Sequence, residues 1–291
     1  MVREGGAVMP AQVPLLLVDG HNLLWRAAFG FPAEIRSRDK TRDLTAPFGF
    51  FALLRVAIRD ELPSAPEVMV VFDGEHGSVE RQDSDADYKA NRALDDGARK
   101  ALEAIPVVQR GLDLYGVDWI EIDTAEADDV IATLISRARR HSRPAWIFST
   151  DRDYYQLLDE HTRVLNTAMH PGKRHIGPDE VDARYGVRPE QWPCFCALKG
   201  DPADNIPGVH GIGAATAARL LAGGLTLDDL PASGRLTGAK GQLIQQQWQQ
   251  VLAWRDLVRM RTDLPLSLEP TGDPSAELPK PAEVIEKLEL W

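Results

Sequence analysis

The chain has 291 residues, of which 44% are hydrophobic and 26% charged, enough to bury a core without disulfides or structural metals. Its longest apolar runs, such as Leu15 to Val18, are too short for a membrane-spanning helix, and no sustained apolar stretch precedes Asp19, a poor match to a signal peptide; its two cysteines, read as reduced thiols, point to a cytoplasmic location. A formal net charge of −11 speaks at first against a nucleic-acid partner.

Residues 1 to about 13 read as a loose extension. Pro14 to Val18 is an apolar run ending in Asp19-Gly20, the pattern of a buried strand that delivers a carboxylate at its carboxyl end. Pro47 to Leu62 has apolar residues at helical spacing. Val68 to Phe72 reads as a second buried strand, again closed by an Asp-Gly pair, Asp73-Gly74. Val117 to Ile122 is a candidate strand, Ala125 to Arg140 a helix, Ala145 to Phe148 a strand followed by Ser149-Thr150-Asp151, and Arg163 to Leu165 one more candidate strand. Strands alternating with helices imply an α/β fold with a doubly wound, mostly parallel sheet. In such sheets ligands bind beyond the carboxyl ends of the strands. Asp19, Asp73 and Asp151 would all emerge there. One Asp-Gly strand end is usually just a turn; three acids at one edge are harder to explain so.

From about residue 178 to 262 the pattern changes to short helices and Gly/Pro turns, a helical subdomain in which Gln245 to Gln250 falls on a helix. The tail 263–291 is rich in Pro and Glu and closes with a short helical stretch, Pro281 to Leu290. Cys194 and Cys196, spaced C-x-C, suit neither a structural zinc site nor a redox pair and read as buried thiols in a reducing compartment.

Glu126-Ala127-Asp128-Asp129 opens the helix after the third strand. Acids also favour helix N-termini, and Asp123 with Glu126 fits a capping box, so this segment alone leaves both readings open. Asp151 and Asp153 follow a strand, and Asp201 and Asp204 open part of the helical region. Clustered hard oxygen ligands suit two or more Mg²⁺ or Mn²⁺ ions rather than zinc. Two such ions about 4 Å apart would activate a water and stabilise a leaving oxygen. Setting these nine acids aside leaves 35 acids against 33 bases, a net of −2. The acidity is then largely the metal site itself, and bound cations would neutralise much of it.

At this point the residues resemble a known family. Val18-Asp19-Gly20-His21-Asn22-Leu23-Leu24, Val71-Phe72-Asp73-Gly74, Tyr88-Lys89-Ala90-Asn91-Arg92, Glu126 to Ala132, Ser149-Thr150-Asp151-Arg152-Asp153 and Leu198 to Val209 are similar, in order, to the motifs of the flap endonuclease and 5′-exonuclease family, which includes the 5′-nuclease domain of bacterial DNA polymerase I. The resemblance covers residues 15 to about 224. It implies a PIN-like, resolvase-like core over 14–177 and a metal cluster of Asp19, Asp73, Glu126, Asp128, Asp129, Asp151, Asp153, Asp201 and Asp204, with every acidic position filled. Ser149-Thr150 and Tyr154-Tyr155 depart from the family's more usual Thr-Gly and aliphatic pairs.

The polar stretch of about 74–100, with Arg81, Tyr88, Lys89, Arg92, Arg99 and Lys100, reads as a solvated loop on its own. By resemblance it is a helical arch. Its basic groups then contact phosphates, Tyr88 offers a stacking face, and Lys89, with Arg92 as a second cation, stabilises charge at the scissile phosphate. The glycines Gly208, Gly211 and Gly213 precede a clear helix, Ala214 to Leu221. By resemblance they form a helix–hairpin–helix that takes a phosphate of the duplex, with K⁺ as a possible bridging ion. Such contacts recognise structure rather than base sequence.

The resemblance thus implies a stand-alone, monomeric 5′-3′ exonuclease and flap endonuclease acting in replication and repair on 5′ ends, flaps, nicks or gaps, with replication or repair proteins as possible partners. On that reading, Asp129→Asn or Asp151→Asn removes cleavage while DNA binding persists. Two rivals stand beside it: a PIN-type nuclease that cuts RNA, which the helical region opposes, and a protein that binds branched DNA without cutting, which the filled acid cluster opposes.

Overall fold

The computed structural model describes residues 12–90 and 96–291. Most of the expected N-terminal extension, residues 1–11, and Arg92 lie outside the described residues. In chain order the elements are β1 (Leu15–Asp19), α1 (Gly20–Gly30), α2 (Thr45–Glu61), β2 (Glu67–Asp73), α3 (Val79–Ser84), α4 (Asp96–Glu103), α5 (Ile105–Leu114), β3 (Asp118–Ile122), α6 (Ala127–Arg140), β4 (Ala145–Phe148), β5 (Thr162–Leu165), β6 (His175–Ile176), α7 (Pro178–Tyr185), α8 (Trp192–Lys199), α9 (Ala214–Leu221), α10 (Gly238–Gln246), α11 (Trp248–Val258) and α12 (Pro281–Lys287).

The six strands lie in the order β3-β2-β1-β4-β5-β6. Every pairing is parallel except β5 with β6. The chain moves outward from β1 through β2 to β3, then crosses back to β4. The strand order therefore switches direction between β1 and β4, where a crevice opens at the carboxyl edge of a doubly wound sheet. Asp19 ends β1 and Asp151 follows β4, so both acids stand at that switch point.

Both faces of the sheet are covered, which is why its central strands read as unbroken apolar runs. Leu16, Val18, Val70 and Phe72 face α1, α2 and α5 through Leu24, Phe50, Phe51 and Val108. Leu15, Leu17, Met69, Val71 and Ile147 face α6, and that core continues through Tyr154, Trp192 and Phe195 into the helical region. The sheet domain and the helices after residue 178 therefore share one hydrophobic core. The glutamine stretch is split, because the helix breaks at Gln247 between α10 and α11.

The tail does not trail off. Ser275 Oγ accepts the Val68 N–H at 2.8 Å, and buried Glu67 receives the N–H groups of Thr271 and Gly272 together with the Arg143 guanidinium. Helix α12 then packs on α2. Among the described residues, no helix is long and apolar enough to cross a membrane. Cys194 and Cys196 are free and buried, as their spacing suggested.

One local expectation fails. The capping box of Asp123 with Glu126 does not form: Glu126 is the N-cap of α6, and no side chain of its own closes the turn. The cap comes from β2 instead, where Asp73 Oδ1 accepts the Ala127 N–H at 2.7 Å. Asp123 turns outward to His76 at 2.9 Å.

Candidate metal centre

Asp19 is the centre of the group. It ends β1 and caps α1, accepting the Asn22 N–H at 3.0 Å. Ser149 Oγ donates to its other oxygen at 2.9 Å, and Tyr154 OH approaches that oxygen at 3.3 Å. The two positions at which the sequence departs from the family's usual residues thus both touch Asp19. Burial, then the charges of Asp73 and Asp151, push its carboxyl up to about 7, against the opposing pull of the Asn22 N–H and Ser149.

The other acids gather around it. Burial drives Asp128 well above the carboxylate range; Lys89 opposes this, while Asp151, Asp19 and Glu126 add to it. Asp153 is driven the same way by burial and then by Asp151, Asp204, Asp201 and Asp128. Its Oδ1 receives the Trp192 indole N–H at 3.4 Å. Asp151 orients Asp153 by accepting its backbone N–H at 3.0 Å. Asp201 sits with Asp153 and the Cys196 thiol, their ligand atoms within 4.8 Å of one another. Eight of the nine acids named from sequence, Asp19, Asp73, Glu126, Asp128, Asp151, Asp153, Asp201 and Asp204, are thus linked, each to at least one other, through the charges that raise Asp19, Asp128 and Asp153.

Asp129 is the exception. It is fully buried, with both oxygens taken: Arg81 donates to Oδ1 at 2.7 Å, the Arg261 N–H to Oδ1 at 2.9 Å and Arg261 Nε to Oδ2 at 2.8 Å. The structure thus turns it away from the group that its sequence neighbours join, and the ligand role expected for it does not fit this geometry.

The polar stretch expected to form an arch also differs from that expectation. The sequence presents Arg81 and Tyr88 as solvent-facing contacts for phosphate and base. Instead, Arg81 bridges Asp129 and Glu126, the latter at 3.4 Å, and Tyr88 is 3% exposed with its hydroxyl 3.4 Å from Glu126. Apolar burial and the pull of two carboxylates outweigh solvation at this base of the arch. Lys89 has the left-handed φ of 54° and donates its N–H to Asp204 O at 3.1 Å. Asn205 clasps the same turn through Asp87 O at 2.7 Å. The Lys89 ammonium reaches Glu126 and lies 4.9 Å from the centre of the Tyr88 ring. Burial lowers its pKa, but Tyr88, Asp128, Glu126 and Asp204 outweigh that and hold it well above an ordinary lysine.

At the hairpin, Gly200 and Gly208 have φ of 84° and 67°, and a Cβ on Gly208 would lie 2.2 Å from Gly200 N. Gly208 is buried, and its lack of a Cβ is required by this backbone contact. Gly211 and Gly213 are exposed with open space around them, and Gly213 is the N-cap of α9.

The donor set fits hard divalent cations. It is all carboxylate apart from the Cys196 thiol, it concentrates negative charge at the sheet edge with Asp19, Glu126, Asp153 and Asp204 buried, and Glu126 Oε1 is a buried oxygen with no hydrogen-bond partner. Sequence reasoning missed the groups that hold these acids, namely Ser149, Tyr154 and Arg261. A polar stripe on an otherwise buried helix, Asp129, Thr133 and Arg137, was the available sign of a partner segment.

Comparison with known proteins agrees with this architecture. Residues 14–186 match the model of the 5′-3′ exonuclease N-terminal resolvase-like domain, and residues 187–279 that of the 5′-3′ exonuclease C-terminal SAM fold. The thermostable DNA polymerase I of Thermus thermophilus is 36% identical over 269 residues, covering 90% of this chain and 31% of the polymerase, so the chain spans about a third of that relative. Among solved structures, a flap endonuclease of bacteriophage T5, in a pseudo-enzyme-product complex with DNA and metal ions, superposes with a TM-score of 0.63 at 22% identity, covering 84% of this chain and 88% of that one. The catalytic core of Rad2 in complex with DNA substrate gives 0.54 at 14%, covering 97% and 88%.

Proposed function

Because the chain belongs to the 5′-3′ exonuclease family, we propose that its acid-lined sheet edge hydrolyses DNA phosphodiesters at 5′ ends, flaps, nicks and gaps, as a 5′-3′ exonuclease and flap endonuclease of replication and repair. The observation that carries this reading is the convergence of eight carboxylates around the switch point between β1 and β4, with the Lys89 ammonium reaching in among them. Bound there, two or more Mg²⁺ or Mn²⁺ ions supply an activated water and stabilise charge on the leaving oxygen.

The chain's own residues do the rest. Asp19, Asp128, Asp151 and Asp153 form the inner ligand set, with Asp73, Glu126, Asp201 and Asp204 at its margins. Ser149, Tyr154 and the Asn22 N–H fix the Asp19 carboxylate, and Asp73 fixes the start of α6. Lys89 neutralises charge on the scissile phosphate, its ammonium already held over the site by Glu126 and Tyr88. The exposed N–H groups around Gly211 and Gly213 take a phosphate of the duplex, a place where K⁺ also fits. The enzyme acts as a cytoplasmic monomer that reads DNA shape.

A 5′-labelled flap incubated with the protein and Mg²⁺ or Mn²⁺ tests the reading. Short labelled products, absent under EDTA and with Asp151→Asn, are expected. Binding without cleavage under every divalent ion contradicts it, and preferential cleavage of single-stranded RNA assigns a different substrate.

A further inference from the structure

Helix α6 presents Asp129, Thr133 and Arg137 at i, i+4 and i+8, a single stripe along its surface. The segment that leaves α11 lies along that stripe. Arg261 grips both oxygens of Asp129, Leu264 N–H donates to Thr133 Oγ1 at 3.3 Å, and Arg137 Nη2 donates to Leu264 O at 3.0 Å while pairing with Glu269. On the arch side, Arg261 also reaches Glu80 at 2.7 Å, and Arg81 closes on Asp129 from the same direction.

The strap therefore acts differently at its two ends. At Arg137 it binds a distal turn of α6. At Arg261 it neutralises a carboxylate that adjoins Asp128 in sequence. Without the Arg261 guanidinium, Asp129 Oδ2 loses its partner while Oδ1 keeps Arg81 and the Arg261 backbone N–H. The carboxylate, half compensated, would then repel Glu126 and Asp128 and compete with them for a bound cation, because burial makes an uncompensated charge costly. We propose that Arg261 is a positioning residue of the metal centre: by holding Asp129 aside, it sets the first turn of α6 and with it the carboxylates of Glu126 and Asp128. It acts through Asp129 and touches no substrate. Arg261 stands three residues beyond the end of α11 at Val258, so it also ties the exit of the helical region to the acid edge of the sheet. The inference rests on the reading of that edge as a divalent-metal site.

The test is Mn²⁺ binding to the DNA-free full chain, followed by the electron paramagnetic resonance of free Mn²⁺, beside circular dichroism and thermal melting. Wild type is compared with Arg261→Ala, Arg261→Lys and Arg137→Ala. The expected result is that Arg261→Ala weakens Mn²⁺ binding about tenfold, Arg261→Lys weakens it less, and Arg137→Ala lowers the melting temperature at wild-type Mn²⁺ affinity. Wild-type Mn²⁺ affinity in folded Arg261→Ala overturns the proposal. Should that variant not fold, unchanged affinity in Arg261→Lys overturns it equally, as does an equal loss in Arg137→Ala. A wild-type chain that binds no Mn²⁺ removes the metal reading itself, and this inference with it.

Discussion

Asp128 and Asp129 are neighbours in the first turn of α6, yet they belong to two different regions. Asp128 faces the acid edge, where burial and then Asp151, Asp19 and Glu126 raise its pKa against the pull of Lys89. Asp129 faces the C-terminal strap, where Arg81 and Arg261 satisfy both its oxygens. The same side-chain chemistry, one residue apart, thus becomes a cation-seeking site on one side of the helix and a closed ion pair on the other. Clustered carboxylates alone do not define a metal centre; what decides is whether the protein supplies the counter-charge itself. Among the described residues, the cations at the acid edge are Lys89 and a shared Arg81 on Glu126, and Lys199 at 3.6 Å from Asp201, against eight carboxylates. At the strap face it supplies two guanidiniums for one.

This contrast can be broken most severely at Asp151. Asp151→Asn is expected to lower the cleavage rate by on the order of 1,000-fold, about 4 kcal/mol of transition-state stabilisation, while a gel-shift assay finds DNA binding retained. Lys89→Ala comes next: about a 100-fold loss in single-turnover rate, because no second cation among the described residues sits on Glu126 over the site except Arg81, which is already shared with Asp129. Near wild-type rates would place the lysine outside the chemistry.

The third prediction concerns stability in the absence of metal. The Asp19 carboxyl is pushed up to about 7 in the fold, from an ordinary 3.8. A raised carboxyl favours the fold below the unfolded value and loses that contribution as pH rises through the folded one. The EDTA-treated protein is therefore expected to lose about 2 kcal/mol of stability between pH 5 and pH 8, measured by denaturant melts. Asp19→Asn should reduce that dependence without abolishing it, since burial raises Asp128 and Asp153 as well, and Mn²⁺ should restore wild-type stability at pH 8. A metal-free protein whose stability rises over this range would contradict the assignment.

The smallest effect separates the two neighbours. Asp128→Asn is expected to lower the cleavage rate as Asp151→Asn does, whereas Asp129→Asn costs only about tenfold in metal affinity and lowers the melting temperature, since it leaves two arginines short of a charge. Equal loss of activity in both variants would erase the distinction between the two faces of α6.

Much of this was legible from residues alone. Leu15 to Val18 and Val68 to Phe72 announce buried strands because a sheet covered on both faces admits no alternation, and an aspartate after such a run must emerge at the carboxyl edge. Asp19, Asp73 and Asp151 followed from that pattern. The fate of Asp129 did not, because its partner Arg261 lies 132 residues further along the chain and only the folded strap brings them together. Burial of Tyr88 and half-burial of Arg81 were missed for a related reason: a polar stretch reads as solvated until a buried carboxylate, here Glu126, is placed beneath it. The cap of α6 by Asp73 replaced the local Asp123–Glu126 box because a strand end 54 residues away offered the closer acceptor.

The central claim, that the acid edge and not the strap face is the cation site, is tested most directly by anomalous diffraction from crystals soaked in Mn²⁺. The account predicts anomalous peaks within ligand distance of Asp151 and its neighbours Asp19, Asp128 or Asp153, with none on Asp129, which remains paired with Arg81 and Arg261. A peak bound by Asp129, or a soaked crystal with no peak at the switch point between β1 and β4, would contradict it.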